Sequence, residues 1–404
     1  MRVVADLHIH SPFSRAVSKE MSFRNIEKGA LTKGLDVVGT GDITHPRWRE
    51  MIREELAEED GLYRLKDGKI RFILTGEVCT TFELEGKSRR IHHLIVLPSL
   101  EAADQLCEVL SKRGDLASDG RPNLNMTGAE FAEEVVELGE RCLVVPAHIW
   151  TPWFSLFGSR GGVDSIEDCY EDMTPHIYAI ETGLSSDPPM NWRIRALDRM
   201  TLISNSDSHS PSPLRIGREA NIIELGRLDY DSIVDVVMHR KKDIMTVEVD
   251  PSYGKYHWTG HRACGVVVKP ADAITMKGIC PVCGKRMTKG VAERVEELAD
   301  REEGVVPEGA QDYVKILPLS ELISAVMNRD AFFGEVQRRY WEIMKKFSNE
   351  MEVLLKAPHD VLVDACGGEL ADMILMCRQG RMQISPGYDG VYGKLLYRSL
   401  ASKI

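Results

Sequence analysis

Twelve histidines punctuate this 404-residue sequence, and six of them fall with carboxylates at the ends of strand-like segments. Asp6-Leu-His8-Ile-His10 closes the first such segment. A two-residue spacing puts both imidazoles on one face of a strand, so the pair can grip one metal ion. Asp42 and His45 follow the second segment, and Glu77 follows Ile-Leu-Thr-Gly. His93 lies in Ile-His-His-Leu-Ile-Val, with His92 turned to the opposite face. His148 ends Leu-Val-Val-Pro-Ala-His, and Glu181 ends Tyr-Ala-Ile-Glu. Asp207-Ser-His209 repeats the two-residue spacing. Imidazole and carboxylate donors without cysteine suit zinc, manganese or iron better than calcium. There are too many donors for one ion, so two or three are expected. Closely spaced metals clamp the attacking and leaving oxygens of a phosphoester and acidify the attacking water. Phosphoester hydrolysis is therefore the reaction class. The sequence holds neither a Walker loop nor a Gly-x-Ser-x-Gly elbow, which sets aside ATP-driven and serine-nucleophile chemistry.

Such donors need a scaffold that brings strand ends together. Strand candidates are 2–10, 36–42, 70–84, 91–98, 142–149, 177–183, 202–209 and 220–225, short and rich in Val, Ile and Leu. Helical patterns lie between most of them, as at 23–34, 47–59, 100–113, 129–141 and 191–200. This alternation predicts a parallel α/β architecture, with more strands than a small open sheet uses and hence a barrel-like closure. Active sites of such folds form at the carboxyl ends of the strands. Asp250-Pro-Ser-Tyr-Gly-Lys-Tyr-His-Trp-Thr-Gly breaks the pattern and reads as a linker. A charged helix at 291–303, a loop at 304–318 and mainly helical periodicity over 319–380 follow. The expected domains are 1–250, 251–290 and 291–404.

The second segment has its own metal signature. His261-x2-Cys264 and Cys280-x2-Cys283 are 15 residues apart, a spacing that suits one structural zinc; His257 is the alternative to His261. The net charge of −11 is unevenly spread. Residues 1–250 carry 30 basic and 42 acidic side chains, whereas 251–294 carry eight and two. A basic module joined to an acidic one suits an anionic polymer held near a metal site. Lys269, Lys277, Lys285, Arg286 and Lys289 are available to neutralise phosphates. Trp150, Trp153 and Phe154, beside His148, and Tyr388 and Tyr392 in a Gly-rich tail are candidates to stack on bases. Nine cysteines, an odd number with only three clustered, point to a reducing cytosol rather than a disulfide scaffold. No apolar run has membrane-spanning length, and Met1-Arg-Val-Val-Ala-Asp reads as neither signal nor transit peptide.

Together, Asp6-Leu-His8-Ile-His10-Ser, Gly76-Glu77, His93-Leu, Ala147-His148 and Ser206-Asp207-Ser-His209 resemble the motifs of the PHP (polymerase and histidinol phosphatase) family. The resemblance covers about the first 210 residues. It implies a distorted β/α barrel of PHP type, with a zinc-binding module and a mainly helical C-terminal domain following here. It also implies two or three divalent ions, zinc, manganese or magnesium. His8, His10, Glu77 and Asp207 would hold one, with Glu77 bridging; Glu77, His93 and His148 a second; His209 would serve a third. Asp207, Glu77 and His148 are the implied catalytic residues. The second motif departs from the family pattern, reading Gly41-Asp42-Ile43-Thr44-His45-Pro46, so Asp42 acts alone or His45 replaces a displaced histidine. Ser14-Arg15 stands where the family often has a His or Asp. Within the family, a barrel followed by a cysteine module and helical tail resembles the endonuclease Q group. That implies nicking 5′ of deaminated bases (uracil, hypoxanthine, xanthine) and at abasic sites, with damaged DNA and the replication sliding clamp as partners. A small-molecule phosphatase of the histidinol-phosphatase type and a non-catalytic repair factor are the competing readings.

Overall fold

A computed structural model describes residues 1–239 and 241–396. The last eight residues of the expected C-terminal domain, 397–404, lie outside the described residues. Twelve strands precede the linker: β1 (Arg2–Asp6), β2 (Val37–Gly39), β3 (Leu56–Glu59), β4 (Leu62–Leu65), β5 (Arg71–Leu84), β6 (Lys87–Leu97), β7 (Asn123–Asn125), β8 (Leu143–Pro146), β9 (Ala179–Glu181), β10 (Thr201–Ile203), β11 (Ala220–Glu224) and β12 (Ile244–Glu248).

β1, β2 and β5 pair in parallel, as the alternation predicts. β5 and β6 depart from it, forming one long antiparallel hairpin, and β6 pairs antiparallel with β8. The reason is the connection: only Glu85-Gly86 separates the two strands, and a parallel crossover needs a dozen or more residues. β9 and β10 pair in parallel. Hydrogen bonds between loops close the ring: Ile149 N donates to the Glu181 carbonyl over 3.1 Å, and His10 N to the Ser208 carbonyl over 3.0 Å. The result is a distorted barrel whose strand ends converge. β11 and β12 extend the sheet outside the ring.

Helices cover the barrel where apolar residues recur at helical spacing. In Phe23–Lys33 the buried residues include Phe23, Ile26 and Ala30. The Ser22 side chain caps its N-terminus, and Gly34, at φ 99°, ends it. Gly128–Glu137 opens with a reciprocal capping box between Thr127 and Glu130. The predicted helix at 47–59 is shorter, Pro46–Glu55. Its last residues instead form β3, which Asp60-Gly61 turns back into β4. The predicted helix at 191–200 is reduced to the short turns Pro188–Asn191 and Arg195–Leu197.

Val3, Ala5, Leu7, Ile73, Leu94, Val96, Val145 and Ile203 form one buried apolar cluster, which includes Ile233, Val234 and Val237 of helix Tyr230–His239. Ile73 and Glu77 share one face of β5, as His92, Leu94 and Val96 share one face of β6. The apolar cluster is thus continuous with the donors above it.

Beyond the linker, β13 (Thr259–His261) and β14 (Val266–Val268) form an antiparallel ribbon. β15 (Tyr313–Lys315) pairs in parallel with β12, so the main sheet includes a strand from past the linker. Among the described residues five helices follow, Leu319–Met327, Gly334–Met344, Glu350–Leu355, His359–Cys366 and Gly368–Arg378. A buried ion pair, Lys33 Nζ to Glu350 Oε1 at 2.9 Å, ties them to the first barrel helix. Among the described residues no helix is long and apolar enough to cross a membrane.

Candidate metal centre

Two groups of donors face each other at the mouth of the barrel. His8, His10 and Asp207 form one, Glu77, His92 and His148 the other, and in each group the donor atoms lie within 4.8 Å of one another. Glu77 stands between them. Its Oε1 is 2.7 Å from His92 Nδ1 and 2.9 Å from His148 Nε2. Its Oε2 is 3.7 Å from His8 Nε2 and 3.5 Å from His10 Nε2. His10 Nε2 lies 2.8 Å from Asp207 Oδ1.

The ring orientations are set from behind. Glu181 takes His8 Nδ1 at 3.0 Å and is itself held by Asn205 and the His148 amide. Asp42 takes His10 Nδ1 at 3.0 Å, and its other oxygen accepts from Ser11 N, Ser11 Oγ and Ser14 Oγ. A carboxylate accepts only, so each Nδ1 donates, and each ring is turned with its Nε2 toward the site. Asp42, His148 and Asp207 all have positive φ, 45°, 34° and 48°. Such backbone costs energy for non-glycine residues and persists where surrounding contacts hold it.

Burial opposes charge on His8 and His10, but facing carboxylates outweigh it. Glu181 and Glu77 hold His8 well above its ordinary value, and Asp42 and Asp207 raise His10 to about 9. Burial likewise opposes the charge on Glu77 and Asp207, yet the histidines around them keep both well below the usual carboxylate range. The site is a buried, charge-alternating cluster. His8 Nε2 and Glu77 Oε2 are buried without a hydrogen-bond partner among the described residues. Orphaned buried donors and acceptors are costly. Lone pairs left over in a mixed imidazole–carboxylate set fit divalent metal ions.

The structure corrects the expectation for His93. Its ring points outward, 5.2 Å from the Phe131 ring, with Nδ1 2.7 Å from Tyr170 Oη and Nε2 2.8 Å from Thr80 Oγ1. Burial depresses it to about 3. His92, one residue earlier, occupies the site face because it alternates with His93 and pairs across from Cys79. Asp42 orients His10 with every oxygen engaged and joins neither donor group. His45 also stays out: it precedes helix Pro46–Glu55 and stacks on Phe13 at 4.3 Å. His209 sits at the edge, its ring 4.7 Å from that of His10 and its Nδ1 2.9 Å from the Asp207 carbonyl. Arg121 escaped sequence reasoning. Its Nε lies 3.7 Å from Glu77 Oε2, and no periodicity marks a loop residue.

The candidate stacking residues separate by burial. Trp150 is a core residue, 1% exposed, with Nε1 donating to Asn191 Oδ1 over 2.8 Å. Trp153 and Phe154 are exposed. Phe154 stacks on His92 at 5.3 Å, and Trp153 meets Tyr256 edge-on at 5.1 Å. Tyr392 is exposed, with Lys255 5.8 Å from its ring centre. Tyr388 is half-buried against Gly260. Lys285 and Arg286 are exposed beside a third donor group beyond the barrel, His261, Cys264, Cys280 and Cys283. There, Gly265 and Gly284 adopt φ 63° and 70°, and Cys283 Sγ approaches His261 Nδ1 to 3.4 Å. His261 rather than His257 joins that group.

Comparison with known proteins places this architecture. Residues 318–381 match the family model of the MJ0043 C-terminal domain. An uncharacterised protein of Methanocaldococcus jannaschii, MJ0043, is 38% identical over 256 residues, 62% of this chain. The match spans 31% of that relative's length. The uncharacterised protein YqxK of Bacillus subtilis is 31% identical over 98% of this chain and 99% of its own. The crystal structure of the lesion-specific endonuclease PfuEndoQ from Pyrococcus furiosus superposes with a TM-score of 0.89 and 34% identity, covering 100% of this chain and 97% of that one. An endonuclease Q complex with a 27-mer duplex bearing an abasic lesion at the active site gives 0.88 at 34% identity, covering 100% and 98%. This chain belongs to the endonuclease Q family.

Proposed function

We propose that this chain is a DNA repair endonuclease. It hydrolyses the phosphodiester 5′ of deaminated bases (uracil, hypoxanthine, xanthine) and at abasic sites. The observation that carries the reading is the pair of donor groups joined through Glu77, in a chain similar over its whole length to a lesion-specific endonuclease. His8, His10 and Asp207 would hold one divalent ion and Glu77, His92 and His148 a second, with His209 beside a third. Zinc, manganese and magnesium are the candidates. Bound there, such ions supply positive charge to the phosphate and lower the pKa of the attacking water.

The protein's own groups supply orientation. Glu181 and Asp42 orient the imidazoles of His8 and His10, and Ser155 Oγ, 3.0 Å from His148 Nδ1, orients that of His148. Trp153, Phe154 and Tyr392 offer exposed rings to unstacked bases, each worth about 1–3 kcal/mol. Lys285 and Arg286 neutralise backbone phosphates near the proposed structural zinc of His261, Cys264, Cys280 and Cys283.

The test is a labelled duplex containing one deoxyuridine, deoxyinosine or abasic site, incubated with and without divalent metal. A single metal-dependent cut immediately 5′ of the lesion, lost in Asp207→Ala, is expected. No cut on any lesion duplex, with turnover of a chromogenic phosphomonoester, would reassign the chain to small-molecule phosphatases.

A further inference from the structure

The loop that carries Arg121 is anchored at both ends. On one side Gly120 lies directly against the Asp42 and Ser14 side chains: a Cβ there would come within 2.2 Å of both Asp42 Oδ2 and Ser14 Oγ. Its amide donates to the Phe13 carbonyl over 3.1 Å. On the other side the Pro122 carbonyl accepts from Cys79 N, and β7 begins at Asn123, pairing in parallel with β5. Arg121 is therefore delivered to one place on the rim of the donor cluster by the residues that orient His10 and by the strand that carries Glu77.

The guanidinium at that place is not used up. Its nearest carboxylate oxygen, Glu77 Oε2, is 3.7 Å away, beyond hydrogen-bond distance. Among the described residues the Arg121 side chain makes no hydrogen bond, yet it is only 23% exposed. Glu77, Asp207, Asp119 and Asp42 surround it, and the group stays charged at any working pH. Its donors front a cavity of about 370 Å³, which is lined also by Arg15, Arg90, Asn123, Phe154 and His92. His92 belongs to the Glu77 donor group as well, so the cavity shares a wall with the site. A planar fork of charged donors, held beside a phosphoester site at 3.7 Å from one carboxylate oxygen but without a hydrogen bond among the described residues, matches the geometry of phosphate oxygens.

We propose that Arg121 is a catalytic residue: its guanidinium donates to a non-bridging oxygen of the scissile phosphate and stabilises the charge that builds there. The proposal rests on the endonuclease reading. In the reaction the water oxygen bonds to phosphorus while the ester P–O bond opposite breaks. The departing sugar oxygen becomes a hydroxyl carrying the proton that water gives up, and nothing is oxidised or reduced. Negative charge concentrates on the non-bridging oxygens midway, and donors fixed in advance at that position act on the transition state more than on bound substrate. The neighbouring Arg90 and Arg15 meet the flanking backbone and contribute to binding instead.

The experiment is single-turnover and steady-state nicking of a lesion duplex by wild type, Arg121→Ala, Arg121→Lys and Arg90→Ala, with metal content measured on each purified protein. Arg121→Ala is expected to lower kcat by roughly 100- to 1000-fold, the loss typical of one transition-state donor, with KM and metal content near wild type. Added guanidinium should restore part of its rate. Arg121→Lys should recover little, because an ammonium lacks the planar fork. Arg90→Ala should raise KM and spare kcat. Wild-type nicking with Arg121→Ala at full kcat overturns this proposal alone. So does an Arg121→Ala protein that has lost its metal and gains nothing from guanidinium, since the side chain would then only hold the cluster together. A wild-type protein that nicks no lesion duplex overturns the endonuclease reading and this proposal with it.

Discussion

The ion pair between Lys33 and Glu350 offers a quantitative test of how the C-terminal helices are held to the barrel. Both side chains are buried, 1% and 0% exposed, with Nζ and Oε1 2.9 Å apart. Glu350 also accepts from Leu319 N over 3.0 Å and from Tyr340 Oη over 2.7 Å. Three elements of the C-terminal region thus converge on one carboxylate, and a barrel helix supplies the cation. At 2.9 Å and an effective dielectric constant of about 20, the attraction is about 6 kcal/mol. Removing two charges from water offsets most of that, so the pair adds little net stability. Breaking it is another matter. Lys33→Met leaves Glu350 charged, buried and served by neutral donors only, and should destabilise the protein by about 3–5 kcal/mol. Lys33→Met with Glu350→Gln removes both charges, while the amide oxygen still accepts from Leu319 N and the amide nitrogen can donate to the Tyr340 hydroxyl, which turns to accept. That double variant should recover most of the loss. The assay is urea denaturation of wild type, both single variants and the double, read as a double-mutant cycle. Lys33→Met costing less than about 1 kcal/mol, or a double variant as unstable as the two singles added, would refute the reasoning.

Three further outcomes are expected. His92→Ala should lose metal and nicking activity, whereas His93→Ala should keep its metal but unfold more easily. The latter takes the imidazole partner from the buried Tyr170 hydroxyl, at about 1–3 kcal/mol, while Thr80 Oγ1 keeps the Ile91 carbonyl, so metal content and melting temperature separate the two. Glu248, buried beside Thr182 and Ser204, is raised from 4.5 to about 8 by burial, with Asp187 adding to it. The folded chain holds this proton after the unfolded chain has released it, so stability should fall as pH rises from about 4.5 to about 8. Glu248→Gln should flatten that slope, each unit of separation being worth about 1.4 kcal/mol; pH-dependent denaturation that leaves the slope unchanged would count against it. Finally, zinc measured in the purified protein should fall by one equivalent in Cys264→Ser. Its linker and cysteine module should become protease-sensitive while the barrel stays intact.

Much of the site could be read from the sequence because it obeys strand periodicity. His8 and His10, two residues apart, do share a donor group with Asp207, and Glu77 does lie between the two groups. The Cys-x2-Cys spacing likewise led to a real cluster. The choice between His92 and His93 was illegible because both faces of β6 are apolar. Ile91 and Ile95 pack with one buried cluster, Leu94 and Val96 with the other, so alternation carries no polarity. Asp42 and Glu181 look like ligands in a list of residue types. Only three-dimensional placement shows that they stand behind the imidazoles. Trp150 and Trp153 differ by three positions, yet one is core and the other rim, and the irregular loop between them has no period to tell them apart. The β3–β4 hairpin was within reach, since Asp60-Gly61, at φ 58° and 73°, is a strong two-residue hairpin signal. The helical periodicity running into it masked the turn.

The hairpin of β5 and β6 has a consequence for how faithfully the centre assembles. With no polar face to set it, the pairing of these strands is decided at the far end, where Leu84 meets Lys87 across Glu85-Gly86. Both turn residues adopt positive φ, 53° and 72°, which fixes the loop at two residues. Sliding β6 by a single residue would present His93 in place of His92 and turn every other side chain of the strand over. Adjacent imidazoles make that error chemically quiet, since either way one nitrogen ligand is offered. What proofreads the assembly is a solvent-facing turn of two residues, several strand positions away from any metal.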